Sequence, residues 1–141
     1  MTGQFPYKKR NRYPHMIPAE VETWNIFIDD YPGRFETVDY DFRVGAGMEL
    51  DEGWADNVKS MATAISQKRI DVLGWNGDQP TIIEIKKRAS MSAVGQLLGY
   101  KVLFIDEFER LRVPKLMLIC QKISRDDRMA FDNEKIPVIE V

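Results

Sequence analysis

The chain has 141 residues, 30% of them charged and 44% hydrophobic, and a formal net charge of −2. That length suits one domain with a real apolar core, and the small net charge argues against coating nucleic acid through bulk electrostatics. A single cysteine excludes a disulfide framework. No stretch approaches a membrane span and the start lacks the apolar core of a secretion signal, so a cytoplasmic location is expected.

Residues 1–16 read as a basic N-terminal segment. Within it, Tyr7-Lys8-Lys9-Arg10-Asn11-Arg12-Tyr13 sets basic residues between aromatics. The pattern suits phosphate contact with base stacking, or equally a flexible solvated tail. His15 is the only histidine and has no evident partner, so no catalytic role is assigned to it. Residues 18–30 predict the first helix: Pro18 suits the first turn, acidic residues follow, and Val21, Trp24, Phe27 and Ile28 make an apolar stripe. Tyr31-Pro32-Gly33 ends it. Residues 34–44 alternate as a strand, with Val38, Tyr40, Phe42 and Val44 expected on one face. Gly45-Ala46-Gly47 breaks the strand. Residues 50–67 then read as a loop leading into a helix, with Trp54, Val58, Met61 and Ile65 at helical spacing.

Two apolar runs, 69–75 and 81–87, flank Asn76-Gly77-Asp78 and predict a β-hairpin. Alternation puts Ile83 and Ile85 on one face of the second strand and Glu84 and Lys86 on the other. A Gly77-Asp78 loop sets Asp71 directly opposite Glu84, and an Asn76-Gly77 loop makes them diagonal neighbours. An odd loop without a bulge would send them to opposite faces. Facing carboxylates repel, and a bound divalent cation removes the repulsion. Their hard oxygens suit Mg²⁺ or Mn²⁺, while zinc would want thiolates or clustered imidazoles that the chain lacks. The bland reading is a solvated edge strand with an exposed ion pair. Arg69 is expected to share a face with Asp71, and Lys87 and Arg88 to form a basic mouth.

Ser90 or Ser92 can cap the next helix, which runs to about Phe104, with Val94, Leu97, Leu98, Val102 and Ile105 as its core stripe. Gly95 and Gly99 each cost about 1 kcal/mol relative to Ala, and close approach to the sheet is the expected compensation. Gln96 and Tyr100 share one face. Residues 113–121 predict a buried strand with Cys120 as an inert thiol, Ser124-Arg125-Asp126-Asp127 resembles a capping box, and residues 136–141 predict an edge strand.

The order of elements predicts a mixed α/β domain with a central β-sheet flanked by helices. Asp71, then Glu84-Ile85-Lys86, then Gln96 and Tyr100, resembles the PD-(D/E)XK nuclease superfamily. The Gln-x-x-x-Tyr element resembles its RecB-like branch. This resemblance implies a restriction-endonuclease-like core across residues 1–141. It implies Mg²⁺ (or Mn²⁺) held by Asp71, Glu84 and the Ile85 carbonyl, and Lys86 positioning the attacking water or stabilising phosphoryl charge. Gln96 and Tyr100 would lie over the metal site. A further acidic residue from a preceding helix is also implied; Glu20 is the choice, Glu22 is nearly as good, and Glu49, Asp51 and Glu52 stand further out. Ile70 occupies the place where the superfamily often has proline. The implied substrate is nucleic acid, DNA ahead of RNA, with a homodimer or protein partner left open. The rival readings are a nuclease-like domain that holds nucleic acid uncut, and an assembly protein using the sheet edge at residues 136–141.

Overall fold

Alternating apolar residues assemble into one six-stranded sheet between two helical layers. The computed structural model describes residues 3–141. In chain order the elements are β1 (Phe5–Pro6), α1 (Pro18–Asp30), β2 (Thr37–Val44), α2 (Asp56–Ser66), β3 (Lys68–Asn76), β4 (Gln79–Ala89), α3 (Ser92–Glu107), β5 (Lys115–Ile123), α4 (Arg125–Asn133) and β6 (Val138–Glu140). The strands lie in the order β1-β2-β3-β4-β5-β6. The first four are antiparallel neighbours, and β4, β5 and β6 run parallel. The architecture is mixed α/β, as the order of sequence signals predicts. Among the described residues no helix is long and apolar enough to cross a membrane.

Helix α1 occupies its predicted span because Pro18 fits the first turn and the Glu20 carboxylate accepts the Ile17 N–H at 3.3 Å. Its Trp24, Phe27 and Ile28 pack on Val38, Tyr40, Val72, Ile83, Ile85, Met117 and Ile119. On the other side of the sheet, Leu97 and Phe104 of α3 and Phe131 of α4 cover Val44, Ile70, Leu73, Trp75, Ile82, Leu118 and Cys120. Alternation along β4 divides its isoleucines between the layers: Ile82 faces α3, while Ile83 and Ile85 face α1.

Strand β2 departs from the expected single apolar face. Val38 and Tyr40 pack in the α1 layer, but Phe42 and Val44 pack in the α3 layer. Asp41 lies between them with φ +50°, a left-handed conformation that inverts the alternation. The neighbouring strand inverts at the same rung. Ile70 joins the α3 layer and Val72 the α1 layer, with Asp71 between them. The pairs Tyr40–Val72 and Phe42–Ile70 flank this rung, so Asp41 stands across from Asp71.

Further expectations are corrected at the N-terminus and in α3, while α2 forms within its predicted span. From Gly3 onward the basic N-terminal segment is packed down (residues 1–2 lie outside the described residues). Gly3 N–H donates to Thr37 Oγ1 at 2.8 Å, Gln4 N–H to Asp39 Oδ1 at 2.9 Å, and Tyr13 is buried. Tyr7 and Tyr13 join the aromatic core rather than a base-stacking surface. Helix α2 buries no side chain, and its stripe of Trp54, Val58, Met61 and Ile65 is exposed. In α3 neither serine caps the helix: Ser90 and Ser92 hydroxyls bond each other at 2.7 Å, and Met91 takes the N-cap position. Val102 and Ile105 are exposed rather than in the core. A Cβ at Gly95 or Gly99 would meet nothing within 4 Å, so neither glycine serves close approach to the sheet.

Candidate active site

The hairpin closes on Gly77-Asp78, since Asn76 pairs with Gln79 and Gly77 takes φ +58°. From there the β3–β4 ladder runs to the Val72–Ile83 pair and stops. Beyond that pair β3 stays with β2, through Ile70, Arg69 and Lys68, while β4 stays with β5, from Glu84 to Ala89. The sheet therefore forks. The next residues in register at the mouth of the fork are Asp71 and Glu84.

Asp71 Oδ2 accepts the Ile85 N–H at 3.0 Å, using a backbone donor that the interrupted ladder leaves free. Lys86 Nζ lies 3.5 Å from Glu84 Oε1. Glu84 is only 3% exposed, and its Oε2 is buried with no hydrogen-bond partner. A buried acceptor left bare is costly unless a ligand meets it. Burial pushes both carboxyls above their ordinary range, and for Glu84 the adjacent Asp71 pushes further while Lys86 opposes. The Ile85 N–H and the Lys86 charge pull Asp71 the other way.

The helices bring in further groups from both layers. Tyr100 of α3 is pushed up to about 12, by burial first and then by the charges of Glu84 and Asp71, while a Gln96 side-chain hydrogen bond opposes. Gln96 and Tyr100 also line a groove of about 380 Å³ with Lys68, Gly95, Gly99 and Leu103. From α1, Glu20 is raised chiefly by burial, with the Ile17 N–H opposing, the Asp71 charge adding and Lys86 subtracting. Tyr100 from α3 thus feels the charges of Glu84 and Asp71, and Glu20 from α1 those of Asp71 and Lys86, while the groove lined by Gln96 and Tyr100 includes none of Asp71, Glu84 and Lys86. Glu22 instead lines a separate cavity with Arg12, Tyr13, Met16 and Val21. Glu49, Asp51 and Glu52 lie exposed on the loop before α2.

Among the described residues no group of three or more His, Cys, Asp or Glu side chains is placed to hold a metal ion together. A hard divalent cation that keeps several waters needs fewer protein ligands. Two facing carboxylates, one with an unpartnered oxygen, fit such an ion, and the Ile85 carbonyl is the backbone oxygen between Glu84 and Lys86.

No family model matches the chain, and no curated protein matches it. Solved structures do. A crystal structure of a repair endonuclease from Pyrococcus abyssi matches with a TM-score of 0.50 and 15% identity, over 94% of this chain and 49% of its own. The chain shares its fold with that structure. A structure of the EndoMS–dsDNA2 complex (TM-score 0.49, 16% identity, 94% of this chain, 48% of that one) and EndoMS in apo form (0.49, 18%, 92%, 48%) also match. The chain spans about half the length of these structures.

Beside the fork the sequence left one cluster unread. His15 does have partners: its Nε2 lies 3.2 Å from Asp41 Oδ2, and Arg69 Nη1 lies 3.0 Å from either ring nitrogen. Arg69 Nη1 is also 3.6 Å from Asp41 Oδ1. The charge of Asp41 adds to the upward push on Asp71. Asp41 carries no motif in the sequence, and the left-handed backbone at that residue accompanies its approach to His15.

Proposed function

We propose that this chain is a Mg²⁺- or Mn²⁺-dependent nuclease of PD-(D/E)XK type, a single domain over residues 1–141 that hydrolyses a phosphodiester bond in DNA. One observation carries the reading: at the fork, the buried and unpartnered Glu84 Oε2 stands beside Asp71 and Lys86. A buried Glu84 beside a half-buried Asp71 and a partly exposed Lys86 serves no packing purpose, and the facing carboxylates destabilise the sheet unless a cation joins them. The fold shared with a repair endonuclease supports phosphodiester chemistry and DNA as its target.

In this reading Asp71, Glu84 and the Ile85 carbonyl hold the metal. The Ile85 N–H fixes the Asp71 carboxylate so that one oxygen remains for coordination. When bound, the ion polarises the phosphoryl oxygen and lowers the pKa of an attacking water. Lys86, partly exposed on the same face as Glu84, donates hydrogen bonds to that water or to the phosphoryl oxygens as charge develops. Gln96 and Tyr100 approach the same opening from α3 and contact the substrate or the lysine. Glu20 approaches from α1, where its charge acts on Lys86 and Asp71.

The test pairs binding with cleavage. Calorimetry with Mn²⁺ is expected to show a site that Glu84→Ala abolishes and Lys86→Ala keeps. Single-stranded, duplex and branched DNA are then incubated with Mg²⁺, Mn²⁺ or EDTA. Cleavage should require metal and fall by a factor of about 10² to 10³ in Lys86→Ala, as for loss of one transition-state donor. Metal binding without cleavage would leave a domain that holds nucleic acid. Cleavage that survives Lys86→Ala combined with Asp71→Asn would place the chemistry elsewhere.

A further inference from the structure

We propose that Arg69, braced by His15 and Asp41, is a phosphate-binding subsite for the phosphodiester next to the one held at Asp71 and Glu84. The inference rests on the nuclease reading for its substrate, but the cluster itself is a matter of geometry. Arg69 is two residues from Asp71 on β3, and Asp41 stands across β2 on the Asp71 rung. An anion held by Arg69 would therefore sit at the rim of the fork.

The cluster leaves the guanidinium able to take a ligand. Its Nη1 meets His15 and Asp41, and the side chain is 28% exposed, open to an incoming anion or to water. His15 Nε2 lies 3.2 Å from Asp41 Oδ2, and Arg69 Nη1 lies 3.0 Å from both ring nitrogens and 3.6 Å from Asp41 Oδ1, so the three side chains form one close cluster. That cluster holds one end of the planar guanidinium, the group that recognises phosphate oxygens in pairs. Asp41 is largely covered, with its side chain 12% exposed, whereas Arg69 is 28% and His15 59% exposed. The order runs from a buried anchor to an accessible surface.

Backbone conformation points the same way. His15 (φ +55°) and Asp41 (φ +50°) both occupy the left-handed region that side chains with a Cβ avoid. Such conformations persist where the surrounding structure over-determines them, and they gather at binding sites. Of the three such non-glycine residues among the described residues, two are those that hold Arg69, the third being Lys135 in the turn after α4, and neither His15 nor Asp41 belongs to the apolar core. Across β3, Lys68 lines the groove with Gln96 and Tyr100. Basic residues thus flank the carboxylates on both sides, as a nucleic-acid strand crossing the fork requires.

The test uses the full chain without metal. His15 is the single histidine, so its imidazole Cε1–H resonance is a unique reporter. Inorganic phosphate titrated at fixed pH and ionic strength is expected to move that resonance along a saturable curve. Arg69→Gln should abolish the movement, and Asp41→Asn, which tolerates the left-handed backbone, should weaken it. The second readout is the salt dependence of duplex binding in EDTA. Arg69→Gln should lower its slope by about 1, one phosphate contact, whatever the DNA sequence. His15→Ala, at an exposed position, should lower it in the same direction. Phosphate that leaves the His15 resonance unmoved would overturn the subsite, even in a protein that cuts DNA. A saturable shift in a protein that cuts nothing would keep the subsite and refute the nuclease reading alone.

Discussion

Alanine at Gly95 and at Gly99 is expected to stabilise the protein, against the usual direction of a substitution. Both residues are exposed, four positions apart in the interior of α3. Glycine there forfeits about 1 kcal/mol of helix propensity relative to alanine. An added methyl would meet no atom within 4 Å, so no overpacking offsets the gain. Each single variant should therefore gain about 1 kcal/mol and the double about 2, with small coupling between two methyls. In urea, with a slope of about 2 kcal/mol per molar, the midpoint of each single variant rises by about 0.5 M. Gly74→Ala in the same series carries the opposite sign. Its Cβ would stand 2.6 Å from the Phe35 ring, which is buried and packed edge-on against Tyr7. Overpacking of that kind costs about 1–3 kcal/mol. A Gly95 or Gly99 variant less stable than the parent would refute the reasoning, and so would a Gly74 variant no less stable.

The acid pair makes stability depend on pH. Burial and Asp71 raise Glu84 in the folded chain, so its contribution is complete below the ordinary carboxylate range and is lost as pH rises toward the elevated value. Metal-free wild type should lose stability relative to Glu84→Gln between about pH 5 and about pH 8, and Mg²⁺ should restore it. A difference in thermal midpoints that ignores both pH and Mg²⁺ would contradict this. At α4, Ser124 Oγ accepts the Asp127 N–H at 3.1 Å, so Ser124→Ala should cost about 1 kcal/mol in urea unfolding. An unchanged midpoint would show that cap to be redundant.

Local signals made most of the fold legible. Pro18 and its apolar stripe fixed α1 to the residue, because a helix start with a proline and a single hydrophobic face has few alternatives. The Asn76-Gly77-Asp78 signal and strict alternation in β4 marked the hairpin but left two even loops open, of which the structure takes Gly77-Asp78. What escaped was non-local. The alternation of β2 reads as one face unless Asp41 is known to be left-handed, and no dipeptide rule marks that residue. Helical spacing marked α2, but such spacing is blind to whether a sheet lies beneath, and the helix buries no side chain. The same limit applied around the fork. Asp71, Glu84 and Lys86 could be placed near one another by register alone, but the end of the β3–β4 ladder depends on β2 and β5 claiming the diverging strands. His15 looked solitary because its partners are 26 and 54 residues away.

The two outer strands are stubs, β1 of two residues and β6 of three. A foreign strand seeking backbone partners along either rim finds a template too brief to reward alignment. Pro6 and Pro137 shorten the usable rows further, the second with its carbonyl already bonded to the Leu118 N–H. Pairing through β1 or β6 themselves is thus discouraged, and concentrated protein should resist fibrillar aggregation by that route.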